Sequence, residues 1–236
     1  MPRYLIADFI TEFNPKYDNL KSLAKPFEYI GSRPTDIKLN ITDEYLSDLL
    51  SRMTEGSTLA GAEEFAYACD FNKKIIKHNA MLIHSSAIIY KDNTYLFAAP
   101  SGIGKSTHTR LWKQAFGDDV TFINDDKPVV KINDGRCMVY GTPFDGGSGI
   151  ANNISAPLKA IIYVERDKDN SIEKLSSSVQ ILRRLYFSTV HSVDEQTAYY
   201  MLNNFERLIN STDFYLLKCN MDISAAYLAR DGLIKE

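Results

Sequence analysis

The chain has 236 residues, with 27 basic against 30 acidic side chains for a formal charge of −3, and 44% of it is apolar, the composition of a globular protein of one large domain, or of one domain with an appendage, at roughly 150 residues per domain. Lacking a concentrated basic surface, it is not built to coat nucleic acid or an anionic membrane, and no stretch approaches the roughly 18 uninterrupted apolar residues of a spanning helix. Its three cysteines, Cys69, Cys137 and Cys219, are too few and too scattered for a disulfide framework or a metal-type spacing, which points to a reducing, cytoplasmic setting.

The first apolar run breaks at Asp8 and is followed by no small-residue cleavage site, so it reads as a strand over 4–10 rather than a leader. Loops with Pro15, Pro26 and Pro34 and an alternating stretch over 36–41 follow. A helix is expected over 62–76, where Phe65, Ala66, Cys69 and Ile76 recur at near-helical spacing and Glu63 and Glu64 stand where a helix N-terminus favours acids. Two β runs, 84–90 and 94–99, flank the polar turn Lys91-Asp92-Asn93 and predict a hairpin. The second run enters a glycine loop, then a helix with Leu111, Trp112, Ala115 and Phe116 on one face ending at Gly117, then a strand over 120–124. This order is a βαβ unit, which implies a parallel pair in the sheet. Beyond it come a hairpin across Asn133-Asp134-Gly135, a loop over 141–157, a buried strand over 160–164, helices over 177–189 and 194–210, a strand over 214–219 and a last helix from Asp222. The chain divides into residues 1–78, an N-terminal α/β layer packed on the core, and residues 79–236, the core domain.

The loop Ala99-Pro-Ser-Gly-Ile-Gly-Lys-Ser106 departs from the phosphate-binding pattern only at its first position, where Ala99 replaces glycine. Gly102 and Gly104 let the backbone turn its N–H groups toward an anion, Lys105 can reach the β- and γ-phosphates, and Ser106 at the helix start can ligand Mg²⁺. Ser101, Gly102, Ile103, Gly104, Lys105, Ser106 and Thr107 are therefore the expected nucleotide-binding residues. Asp125, 20 residues after Lys105, and the adjacent Asp126 end the strand expected beside the P-loop strand, where open α/β sheets place ligands. Two carboxylates there can divide metal binding from proton acceptance. His84 begins the other strand of the hairpin that leads into the loop, where it can hold a catalytic carboxylate in its charged form or sit as a satisfied core residue. His78, His108 and His191 show no metal-ligand spacing and read as structural.

These residues together, His84, Ser101-Gly-Ile-Gly-Lys-Ser106 and Asp125-Asp126, resemble the catalytic core of bacterial HPr kinase/phosphorylase and, more distantly, the P-loop and Asp-Asp segment of ATP-dependent phosphoenolpyruvate carboxykinases. The resemblance covers about residues 84–130. It implies an α/β fold with a mixed-sheet P-loop core and flanking helices, and a kinase that uses ATP and Mg²⁺ to phosphorylate a serine-like hydroxyl of a protein, peptide or small metabolite. It makes Asp125 the proton acceptor supported by His84, with Lys105 on the phosphates and Ser106 and Asp126 around the metal; the two aspartates can also exchange tasks. The family's Glu-x-Arg-Gly-x-Gly segment is absent, its nearest counterpart being Glu165-Arg166-Asp167, which favours kinase over phosphorylase activity and leaves HPr without support as the target. The alternatives are a nucleotide switch that transfers phosphate to nothing and a carboxykinase-like lyase reduced to its nucleotide half.

Four of the chain's 12 glycines fall in Gly141-Thr-Pro-Phe-Asp-Gly-Gly-Ser-Gly149. A loop of this composition can approach a ligand closely; it either covers the acceptor or the γ-phosphate, with Thr142 and Ser148 as contacts, or is a mobile surface loop. It carries no Lys or Arg, so the charge that neutralises the transition state is sought at Lys127, Arg110 or Arg166. The aromatic fraction of 11% serves the core and leaves room for a homo-oligomer interface.

Overall fold

In the computed structural model, which describes residues 1–189 and 194–234, the first apolar run is a hairpin rather than a single strand. β1 (Arg3–Ile6) and β2 (Phe9–Glu12) pair antiparallel, with Ile6 opposite Phe9. Ala7 and Asp8 between them have φ of 50° and 69°, the double positive φ that a two-residue hairpin turn requires. The Asp8 carboxylate that holds this turn accepts from the Tyr140 hydroxyl at 2.8 Å and the Lys131 ammonium at 3.0 Å. A short helix α1 (Asp18–Ala24) and then β3 (Ile37–Lys38), parallel to β2, complete this small sheet; the alternating stretch over 36–41 contributes only those two strand residues.

Two helices follow, α2 (Asp43–Arg52) and α3 (Leu59–Ile75). Thr58 caps α3, its side chain accepting from Gly61 N at 3.1 Å, so the helix begins before residue 62. Glu63 and Glu64 consequently lie beyond the first turn, 1% and 4% exposed, and do something other than offset the helix dipole.

The remaining elements are β4 (Ala80–Leu82), β5 (Ser85–Tyr90), β6 (Asn93–Ala98), α4 (Lys105–Phe116), β7 (Val120–Asp126), β8 (Val129–Asn133), β9 (Arg136–Tyr140), β10 (Ser155–Arg166), β11 (Ser171–Lys174), α5 (Ser178–Ser188), α6 (Glu195–Ser211), β12 (Asp213–Cys219) and α7 (Ser224–Leu233). His191 lies outside the described residues. The fold is the expected mixed-sheet α/β architecture with flanking helices, with strand order β4-β8-β9-β10-β6-β5-β7 and β12 joined to the far half of β10. One neighbour relation differs from expectation. β7 does not pair with the P-loop strand β6, because β5 folds back between them and pairs antiparallel with both. The parallel partners of the core are instead β6 with β10 and β10 with β12.

Period-two alternation sorts the sheet's side chains onto two faces. Leu96, Ala98, Ile161 and Tyr163 pack toward Ile181 and Leu185 of α5 and Phe205 of α6. Phe97, Ile162 and Leu217 face Trp112 of α4 and Ala225, Ala226 and Ala229 of α7. Trp112 is fully buried, worth roughly 3 kcal/mol of transfer free energy. A third cluster joins the N-terminal layer to the sheet: Phe13, Phe27, Tyr67 and Phe71 pack with Leu82, Val129, Phe144 and Ala151.

Candidate functional site

A cavity of about 650 Å³ opens where β6, β7, β10 and β12 end, lined by residues 101–107, His84, Asp125, Asp126, Arg110 and the 145–148 segment. Every nucleotide-binding and catalytic residue expected from the sequence therefore faces one space, of a size that takes a small ligand. The loop reaches it because Gly102 and Gly104 adopt φ of +77° and +128°, conformations closed to most L side chains. α4 then starts at Lys105, so its first N–H groups, which have no partner within the helix, open toward the cavity. Arg166, from the end of β10, holds the loop from outside: its Nε donates to Ile103 O at 2.9 Å and its Nη2 to Gly102 O. Two carbonyls are thereby drawn away from the anion side. Among the candidate transition-state cations, Arg166 is thus a loop brace.

Lys105 is 8% exposed, and burial lowers its pKa against the pull of Asp126 and Asp125. Its Nζ lies 3.0 Å from His84 Nε2 and 3.2 Å from Ala99 O. The same His84 nitrogen lies 3.0 Å from Asp126 Oδ1, while Asp126 Oδ2 pairs with the Lys127 ammonium. Asp125 has a different set of neighbours. Its Oδ1 accepts from the Ser86 hydroxyl, its direct cross-strand partner on β5, and its Oδ2 stands 4.0 Å from Arg110 Nη2, with the Ser106 hydroxyl also bonded to the carboxylate. The pairing is the reverse of the one first expected: His84 sits with Asp126, not Asp125, and Ser106 sits with Asp125, not Asp126. Consecutive residues on a strand point to opposite sides, so one histidine cannot serve both.

The surroundings push the two carboxylates apart. Burial raises the pKa of Asp125, only partly offset by Ser106 and Arg110. Burial acts on Asp126 in the same direction, but the His84 hydrogen bond and the Lys127 charge outweigh it and bring the pKa down to about 2. Asp126 is thus a fixed anion with both oxygens satisfied, whereas Asp125 is a carboxylate whose charge is poorly compensated.

The glycine loop does cover this end of the cavity. A Cβ on Gly146 would lie 2.6 Å from Asp126 Oδ2, so only glycine allows so close an approach. Asp145, 1% exposed, ties the loop by accepting from Gly147 N at 2.9 Å and from Gly149 N. Ser148 lines the cavity. Thr142 does not: it is fully buried, donates to Lys127 O at 2.7 Å and accepts from Phe144 N at 3.2 Å, so its hydroxyl shapes the loop.

The least anticipated participant is Glu64. Its Oε1 accepts from Gly146 N at 2.8 Å across 82 residues, which fastens the N-terminal layer to the loop over Asp126, and burial raises its pKa. Glu63 does the equivalent within the layer, accepting from Lys16 N at 2.6 Å and Tyr17 N at 3.1 Å. Two buried acids in an otherwise apolar helical stretch are the signal that could have exposed these roles. Ser86, read only as a strand residue, became visible through register alone. His108, at the edge of the cavity, is buried, accepts from Trp112 Nε1 at 3.1 Å and has its pKa pushed by burial down to about 4.

The residues present suit a hard divalent cation. Mg²⁺ is held by one or two oxygen ligands together with substrate phosphates rather than by a protein cage, and Ser106 and Asp125 offer such oxygens beside an under-compensated charge. Among the described residues no group of three or more His, Cys, Asp or Glu side chains forms a self-sufficient metal site, and no helix is long and apolar enough to cross a membrane.

No known family profile matches the chain, and no curated protein does. Among solved structures, the chain is similar to the HPr(Ser) kinase/phosphatase from Coxiella burnetii at 10% identity and a TM-score of 0.39, over 64% of this chain and 95% of that one.

Proposed function

We propose that the protein is a kinase that transfers the γ-phosphoryl group of ATP to a serine-like hydroxyl of a protein, peptide or small metabolite. The observation that carries this reading is the meeting, in one cavity, of the Lys105 ammonium, the His84–Asp126 pair and the Ser106–Asp125 pair at the mouth of a glycine loop. The loop N–H groups and Lys105 bind the triphosphate. Ser106 and Asp125 would hold Mg²⁺, which neutralises phosphate charge when bound.

The contacts favour the exchanged assignment of the aspartates. In it the His84–Asp126 pair, joined through Nε2 and Oδ1 at 3.0 Å, takes the proton from the acceptor hydroxyl. The acceptor oxygen forms its bond to the γ-phosphorus as the bond to the β–γ bridging oxygen breaks, leaving ADP. The 145–148 segment covers this end and limits water as a competing acceptor.

Incubation with γ-labelled ATP, Mg²⁺ and a mixed peptide and metabolite pool tests the reading. Label should pass to an acid-stable phosphoester in the wild type, with Lys105→Ala losing nucleotide binding and His84→Ala retaining binding but transferring about 100-fold more slowly. Nucleotide binding with no transfer to any acceptor would instead identify a switch.

A further inference from the structure

Apart from histidine, the basic side chains that line the cavity among the described residues are Lys105, Arg110 and Arg166. Two of them are committed. Arg166 donates to the carbonyls of Ile103 and Gly102, and Lys105 sits at the base of the loop, 3.0 Å from His84 Nε2 and 3.2 Å from Ala99 O. Lys127, the other cation beside the aspartates, does not reach the cavity: it is 8% exposed and its ammonium pairs with Asp126.

Arg110 is placed differently. It follows Ser106 by four residues on α4, so the two side chains share one helix face, and helical side chains lean toward the N-terminus, which here is the phosphate end. The contacts agree with that direction. The Ser106 hydroxyl and the Arg110 guanidinium both meet Asp125, the guanidinium with Nη2 4.0 Å from Oδ2. At that distance the contact is an ion pair without a hydrogen bond. The Arg110 side chain is 61% exposed against 1% for Asp125, so its donors can turn to a ligand in the cavity without any group being uncovered.

We propose that Arg110 is the γ-phosphate ligand of this site, binding the terminal phosphoryl group and neutralising its charge during transfer. The inference rests on the reading of the cavity as a nucleotide site and supplies the cation that the 141–149 loop lacks. As the acceptor oxygen bonds to the γ-phosphorus, the bond to the β–γ bridging oxygen breaks and its electron pair stays on ADP, while the proton of the acceptor hydroxyl passes to the His84–Asp126 pair. Charge remains spread over the three equatorial oxygens throughout, and a planar guanidinium can meet two of them with parallel N–H donors.

Calorimetric titration of ATP and of ADP, each with Mg²⁺, into the full chain tests this without relying on turnover. Arg110→Gln should weaken ATP binding about tenfold and leave ADP binding unchanged, since ADP has no group for the side chain to meet, and it should slow transfer of the γ-label about 100-fold. Arg110→Lys, which keeps the charge but not the fork, should fall between wild type and Arg110→Gln in both readouts. The position is exposed, so both variants should keep a Tm near that of wild type. An unchanged preference for ATP over ADP in Arg110→Gln overturns the proposal, as does equal weakening of the two nucleotides or transfer at the wild-type rate. If wild type transfers phosphate to no acceptor but prefers ATP, and Arg110→Gln loses that preference, the kinase reading fails and the γ-phosphate contact stands. A wild type that binds neither nucleotide overturns both.

Discussion

Asp125 and Asp126 differ in no covalent respect, and their surroundings alone shift their pKa values in opposite directions. The Asp125 side chain is 1% exposed and meets neutral hydroxyls and a guanidinium 4.0 Å away; its raised pKa means that the folded state disfavours its charge. By linkage, a carboxylate raised on folding is least costly below its unfolded pKa and subtracts stability as pH rises through the folded value. Asp125→Asn should therefore raise Tm at neutral pH in the absence of divalent cations, with the advantage over wild type vanishing in acid where Asp125 is already protonated. It should also abolish the thermal stabilisation that Mg²⁺ with ATP gives the wild type. The sign reverses at Asp126. A pKa lowered to about 2 contributes stability that is complete above the ordinary carboxylate range and is lost as pH falls through about 2. Asp126→Asn strips the partner from Lys127, which is only 8% exposed, and a buried charge left unpaired costs about 3 kcal/mol or more. Thermal melts of the two variants at neutral pH should move in opposite directions; movement in the same direction would show that the local fields described above do not govern the pair.

The elements that carry the site are held by turns and caps whose signals differ in how openly they appear. The β5–β6 hairpin, the glycine loop, α4 and β7 are legible because each follows from neighbours in sequence: alternation, a polar turn, glycines where φ must be positive, an apolar helical face. The β1–β2 turn is hidden because Ala7, an unremarkable apolar residue, takes a positive φ that Asp8 makes tolerable only through Tyr140 and Lys131, more than 120 positions away. The insertion of β5 between β6 and β7 is hidden for a related reason, since local pattern gives strand direction but not lateral order, and the pairing of His84 with Asp126 follows from that order. Glu64 belongs to this long-range class. If its role is to fasten the loop by accepting from Gly146 N, Glu64→Gln, which keeps an acceptor oxygen, should transfer phosphate at near wild-type rate, whereas Glu64→Ala should leave that N–H unsatisfied and lower kcat about tenfold with little change in nucleotide affinity. Gly146→Ala tests the same contact from the other side. At φ of +64° and 2.6 Å from the Asp126 carboxylate, the added methyl must displace one or the other, and kcat should fall by at least tenfold while ATP binding through the 101–106 loop persists.

At the scale of the whole molecule, the third core cluster ties residues 1–78 to the candidate site. Phe71 of α3 is fully buried and its ring centroid lies 6.0 Å from that of Phe144. The Phe144 carbonyl accepts from Asn124 Nδ2 at 3.2 Å, and Asn124 Oδ1 in turn accepts from the N–H groups of Asp126 and Lys127 at 3.0 and 2.7 Å. A chain of packing and hydrogen bonds thus runs from residues 1–78 to the backbone that presents Asp126, and Leu82 and Val129 of the sheet are buried in the cluster that the layer shares with them. A layer of this kind should not melt by itself. Phe71→Ala removes a large ring from a site that cannot collapse around the loss, at a cost of about 3–5 kcal/mol, a large share of the 5–15 kcal/mol by which folded proteins of this kind exceed their unfolded states. The expected outcome is one transition at lower temperature, with far-UV and near-UV circular dichroism sharing a midpoint and the calorimetric and van 't Hoff enthalpies agreeing. A fragment of residues 79–236 should for the same reason show no cooperative transition, because folding it exposes the underside of Val129 and Phe144 to water. Two separable transitions in the full chain, the earlier leaving ATP binding intact, would instead make residues 1–78 an independent unit and would remove Glu64 from the account of the site.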